Sequence, residues 1–178
     1  GTPIRQTWLN TQSGWETSAA FVTPDVSIDY QLYSKGAATG FFMDINNDGL
    51  TDFVTAHINS AGTTARATWL NTGNGWQSSS AFQLPIAIAD YSSSIPQGLA
   101  SPVDINGDGL IDIVQAHQYT DGSQAKNAWL NTGNGWKVDA VFKPTFIVWK
   151  QTGATTQTLG MLVDVNNDGL PEFVHSHS

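Results

Sequence analysis

The eight residues WLNTGNGW occupy positions 69–76 and return unchanged at 129–136; a near copy, WLNTQSGW, fills 8–15. A second motif keeps the same step. DINNDGLTD starts at Asp44, DINGDGLID at Asp104 and DVNNDGLPE at Asp164, two offsets of 60 residues. A phenylalanine follows the second tryptophan by six positions (Phe21, Phe82, Phe142), and a basic residue precedes the first by three (Arg5, Arg66, Lys126). A histidine follows the last acid of the second motif by five (His57, His117, His177). A period of this length means that one small unit is used three times, each too small to bury its apolar face without stacking on a neighbour. The chain therefore reads as a single repeat domain over residues 1–178, with units at about 60–119 and 120–178, and a further unit's worth in 1–59.

Within a unit the pattern is that of four short strands. GFFMDI (40–45) is an apolar run, DFVTAHIN (52–59) supplies Phe53, Val54 and Ala56, and ARATWL (65–70) alternates with period two. NTGNG is a hairpin turn, because Asn and Gly tolerate positive φ, and GWQSSSAF (75–82) is the fourth strand. No long stretch shows helical spacing. Repeated four-stranded sheets of this size predict an all-β fold of β-propeller-type blades, three repeats of about 60 residues. The chain opens on the third strand of a blade and closes on the second. Propellers usually close with about four to eight blades, so three imply a ring completed by oligomerisation or by further sequence. A six-bladed dimer, or a subunit whose end strands pair with the next chain, fits that expectation.

Composition excludes several roles. The net charge of −8 repels nucleic-acid phosphates. No basic amphipathic segment suits a membrane surface, and no apolar run approaches 18 residues. Cysteine is absent, so disulfide and thiol chemistry are excluded. No nucleophile motif, phosphate loop or separate acid–base pair is visible, and the chain reads as a non-enzyme.

The charge is unevenly placed. Nine of the 15 acids lie in the three nine-residue motifs that start at Asp44, Asp104 and Asp164, and outside them six acids face seven Lys and Arg. Crowding three carboxylates into one turn is costly without a cation. Calcium takes six to eight oxygens from a compact flexible loop, and each motif offers a set. The first holds Asp44, Asn46, Asp48, the Leu50 carbonyl and Asp52; the second Asp104, Asn106, Asp108, the Leu110 carbonyl and Asp112; the third Asp164, Asn166, Asp168, the Leu170 carbonyl and Glu172. Gly49, Gly109 and Gly169 allow the sharp turn, and the leucine side chains are expected in the core. Three Ca2+ ions would take the formal charge from −8 to −2. A metal-free Asx turn is the plainer alternative. An EF-hand is disfavoured, because its twelfth position needs a bidentate glutamate and here holds Thr55, Gln115 and His175.

A strand running into DxNxDGxxD and out into a second apolar strand resembles the FG-GAP and VCBS-type repeats, and the LNTGNGW hairpin is similar to that of toxin-complex propellers. The resemblance implies calcium-binding β-propeller blades, calcium in a structural role and a location outside the cell or on its surface. It does not imply one activity.

The remaining recurrent residues have plainer readings. Trp8, Trp15, Trp69, Trp76, Trp129 and Trp136 pair across strands and fill the space between blades. The three basic residues stack on an aromatic or pair with an acid, and the histidines are structural. Trp149, Tyr33 and Tyr91 lie in the segments that differ most between units (22–39, 83–100, 143–159) and are the candidate ligand-binding residues. The functional expectation is a module for protein interaction or self-assembly in a surface protein or fibre, with cell adhesion and filament formation within its range. A carbohydrate-binding lectin is the alternative, and a toxin-complex shell a weaker one.

Overall fold

The computed structural model describes residues 4–25, 28–29, 37–92, 97–153 and 155–175. All regular structure among them is strand. The first complete blade runs β5 (Gly40–Met43), β6 (Asp52–Ile58), β7 (Thr64–Asn71) and β8 (Trp76–Ser78), each antiparallel to the next. The second repeats it as β11 (Ser101–Val103), β12 (Asp112–Gln118), β13 (Gln124–Asn131) and β14 (Trp136–Asp139). Two partial blades flank them. β1 (Thr7–Asn10) and β2 (Trp15–Ser18) form a hairpin equivalent to strands three and four. β17 (Gly160–Val163) and β18 (Glu172–His175) are equivalent to strands one and two. No closed ring forms among the described residues.

The segment leaving each complete blade does more than connect. β9 (Ala89–Asp90) and β15 (Trp149–Thr152) return to pair in parallel with the ends of β6 and β12. They then turn into β10 (Gln97–Gly98) and β16 (Thr155–Thr158). A similar two-strand pair, β3 (Ile28–Asp29) with β4 (Ala37–Ala38), stands in the preceding segment. The four-strand expectation thus holds for the blade, and a short fifth and sixth strand extend each complete one.

Hairpin geometry follows from the turn residues. Thr72 N–H donates to the Gly75 carbonyl at 2.9 Å, and Thr132 N–H to Gly135 likewise. Gly73 and Gly133 take φ of 77° and 73°. The first hairpin has Gln12 there at 67°, a conformation that costs a side chain more than it costs glycine.

Blades stack face to face. One face of the first blade, with Val54, Ala56 and Leu70, joins Phe82, Leu84 and Ile88 of its outgoing segment. Ile113, Trp129 and Trp136 of the second blade close over them. The opposite face is aromatic: Phe53 stacks on Trp69 at 5.6 Å, and Trp76 meets Phe21 of the preceding unit edge-on at 6.2 Å. The tryptophans of a hairpin do share a face, though they are not direct partners; Trp69 lies opposite Ser78, and Trp76 opposite Asn71. The contacts that the basic residues show are to backbone carbonyls. Arg66 donates to the Leu84 and Pro85 carbonyls, Arg5 to those of Thr23 and Pro24, and Lys126 to that of Thr145, pinning the outgoing segment to strand three.

Phe53 is fully buried at the centre of this stacking. Phe53→Ala is expected to cost about 3–5 kcal/mol in urea unfolding, whereas the same change at Phe42, 53% exposed, should cost much less.

Candidate acidic-loop site

Each DxNxDG loop links the first two strands of a blade. Its form is set by carboxylates accepting N–H groups of their own turn. Asp44 accepts from Asp48 and Gly49 at 3.1 and 2.9 Å, Asn46 Oδ1 from Asp48 at 3.1 Å, and Asp48 Oδ1 from Leu50 at 2.8 Å. The second loop does the same through Asp104, Asn106 and Asp108, with Gly107 N–H taking the place of the fifth-position amide on Asp104, and the third repeats the first through Asp164, Asn166 and Asp168. In all three the asparagine amide reaches the central aspartate, at 2.9, 2.9 and 3.0 Å. The sixth-position glycines take φ of 84°, 86° and 87°. The fourth position is also left-handed, at Asn47, Gly107 and Asn167. Sequence reasoning overlooked it, although the restriction to Asn or Gly there was a readable sign.

The ninth-position acid has a second role that the motif did not disclose. Asp52 is fully buried and spans two elements: Oδ2 accepts from Ile45 N–H at 3.0 Å, and Oδ1 from Asn71 N–H of the hairpin at 2.7 Å. Asp112 does the same with Ile105 and Asn131, at 3.1 and 2.7 Å. Glu172 holds Val165 N–H at 2.9 Å and the Asn166 amide at 3.2 Å. Asn131 adds a bond between blades, its side chain donating to the Ile45 carbonyl at 2.7 Å.

Burial pushes the Asp52 and Asp112 carboxyls above their ordinary value of 3.8, and the charges of Asp48 and Asp44, or of Asp108 and Asp104, push the same way; the backbone donors oppose. Ionising these groups therefore costs stability as pH rises through the raised value. The three loops also stand side by side. The Asn47 amide lies 3.1 Å from where a Cβ on Gly109 would stand, and Leu170 lies 2.9 Å from that point on Gly107. Their negative charge is thus gathered on one rim.

The donor set suits a hard cation: carboxylates, an amide oxygen and a carbonyl within one turn. Among the described residues, no three acid or histidine side chains form a ready-made cage. The oxygens are turned to loop amides instead. The leucines are not in the core as expected. Leu50 and Leu170 are exposed, and Leu110 is half-buried against Gly133. The loops lie at the rim, where their seventh residue has a neighbouring loop or hairpin to cover rather than a blade face.

Of the candidate ligand residues, Tyr33 lies outside the described residues. Tyr91 is buried, its hydroxyl donating to the Ala38 carbonyl, beside a cavity of about 290 Å3 lined by Phe41, Ile88, Gln97 and Pro102. Trp149 belongs to β15, with its indole against Gly98 of the preceding unit. His177 also lies outside the described residues. His117 is fully buried, and neither ring nitrogen has a hydrogen-bond partner of good geometry. Burial lowers its pKa below 6.5, against the pull of the Gly98 backbone and Asp90.

The family model for FG-GAP-like repeats matches residues 44–115. A relative, the T-cell immunomodulatory protein homolog of Plasmodium yoelii yoelii, is 34% identical over 77 residues, covering 40% of this chain and 10% of that protein. The chain thus spans only a small part of that relative's length. No solved structure matches it significantly.

Two outcomes follow. With excess chelator, Asp112→Ala should lose about 1–3 kcal/mol for each buried N–H it strands, while Asp108→Ala, at an exposed position, should stay within about 0.5 kcal/mol; urea titration separates them. A histidine with a lowered pKa adds stability above its unfolded value, and that stability is lost as pH falls. Stability should therefore decline as pH drops below 6.5, and His117→Leu should flatten that part of the pH–stability curve.

Proposed function

We propose, from the premise that this chain carries FG-GAP-like repeats in propeller-type blades, that it is a non-catalytic, extracellular or cell-surface interaction module whose blades are stabilised by calcium at three loops. The observation that carries the reading is the threefold recurrence of one acidic turn with the same internal bonds, placed where three clusters of like charge share a rim. A cation would be held by Asp44, Asn46, Asp48, the Leu50 carbonyl and Asp52, and by the equivalent residues of the other two loops. Its chemistry there is charge neutralisation. The ninth-position carboxylate would then tie ion, loop and hairpin together. The chain's own contribution is to pre-bend the loop through two left-handed positions and to anchor that carboxylate on two backbone amides. In this reading the faces and outgoing segments of the blades serve protein interaction, with self-association or another surface protein as the partner.

Extracellular modules bind calcium at about 10⁻⁴–10⁻³ M, and ten times Kd adds about 1.4 kcal/mol per site. Calcium at 10 mM should therefore raise the melting temperature at pH 7, and an excess of chelator should abolish the rise. Asp108→Ala should remove one of three bound ions in equilibrium dialysis. A melting curve indifferent to calcium and chelator at pH 7 would sink the reading.

A further inference from the structure

The second blade turns one face of β12 toward the first unit, and a titratable ring lies in that contact. His117 shares the face with Ile113, which packs into the core between the blades. The ring is fully buried, and neither nitrogen has a hydrogen-bond partner of good geometry among the described residues. Buried polar atoms are almost always partnered, so this imidazole is an exception. The seam around it is tight. Gly98 of β10, in the outgoing segment of the first unit, presents its backbone to the His117 ring. On β15 Trp149 pairs in register with His117, and its indole closes on the same glycine: a Cβ on Gly98 would stand 2.6 Å from the indole nitrogen. The first unit thus offers bare backbone, and the second closes two rings on it. Ile88, Leu99 and Ala100 are buried on the first unit's side.

The groups that face the ring suit it neutral and not charged. Asp90, at the end of β9, is the acid that reaches it, and one of its oxygens already accepts from Ser92 N–H at 2.7 Å. Tyr119 stands with its ring 4.6 Å away. β10 contributes the Gly98 backbone. Across the ladder β13 sets Ala125 opposite His117, and β15 sets Trp149 there. Lys126 and Lys150 come one position later, opposite Ala116 and Gln118, and so belong to the other face. Taking an imidazolium out of water without a dedicated partner costs far more than burying the neutral ring. The counterpart in the first blade, His57, keeps the same register, opposite Ala65 and Ala89. Its ring lies 5.9 Å from Tyr91 of its own unit, so the second blade's histidine is the one set against a neighbouring unit's backbone.

We propose that this seam is a proton-operated latch: neutral His117 closes the β9–β10 pair of the first unit onto the second blade, and its protonation in weak acid releases that pair while each blade keeps its own ladder. Burial supplies the sign. A base held below its ordinary value favours the closed form above that value and loses the contribution as pH falls, so release lies on the acid side. The pair is built to move alone, because β9 is two residues long and joins β6 by its end only. The latch makes the placement of one outgoing segment a function of pH. It stands apart from calcium and from the choice of partner.

Backbone amide exchange, scaled for its intrinsic pH dependence, reads the latch directly. The reporters are Tyr91 and Leu99, whose amides donate to the Ile58 and Ile88 carbonyls. Between about pH 7.5 and about pH 5.5 their protection should fall roughly tenfold or more, while the β7–β8 ladder holds within about twofold. His117→Leu should keep both sets protected at both pH values. Gly98→Ala, which drives a methyl into the Trp149 indole, should expose Tyr91 and Leu99 already at the higher pH. Three results overturn the proposal: no loss of protection in acid, a loss spread evenly over all strands, or an unchanged acid response in His117→Leu. The first two are read on the unmodified chain, so a variant that fails to fold does not shield the proposal.

Discussion

One buried carboxylate in each complete blade joins the acidic loop to the hairpin. Asp52 touches the amide that opens the acidic loop and the amide that opens the hairpin. Beside it stand the strand ladder, apolar packing and the Asn71 side chain, which donates to the Thr51 carbonyl at 3.2 Å. That arrangement explains why the acid is tolerated although burial disfavours its charge: it satisfies two backbone donors. A cation in the loop would add the missing half of the electrostatics, because the same carboxylate would then face positive charge on its loop side.

From that anchor the packing follows. The hairpin brings Trp69 over Phe53, and the resulting aromatic face is what the preceding unit meets. The other face of the blade, aliphatic and small, receives the next aromatic set. The asymmetry gives the stack a direction, and each basic residue of strand three secures the segment that carries the chain onward. Sequence repetition, blade geometry and the polarity of the stack are therefore one constraint seen at three scales.

Much of this was legible in the sequence. The period of 60 located the units, the NTGNG turn located the hairpins, and Gly49, Gly109 and Gly169 located the bends. What escaped was of four kinds. β9 is two residues long and carries no period-two signal, so its parallel return to β6 could not be read. The leucines of the loops look like core residues in sequence, yet the rim position of the loop leaves Leu50 and Leu170 exposed. The double role of Asp52 depends on a hairpin nineteen residues away, and only the fold brings its amide within reach. Trp149 stood out because it lies outside the tryptophan motif; its place against Gly98 is a matter of inter-unit packing that residue type alone does not reveal.

The central claim is that the three acidic turns are cation sites that hold the blades. Its most direct test is anomalous diffraction from crystals grown in millimolar calcium. The account predicts one peak inside each loop, with side-chain oxygens of the first, third, fifth and ninth positions and the leucine carbonyl at about 2.3–2.6 Å. Featureless loops, with the carboxylates still turned to their backbone amides, would contradict it.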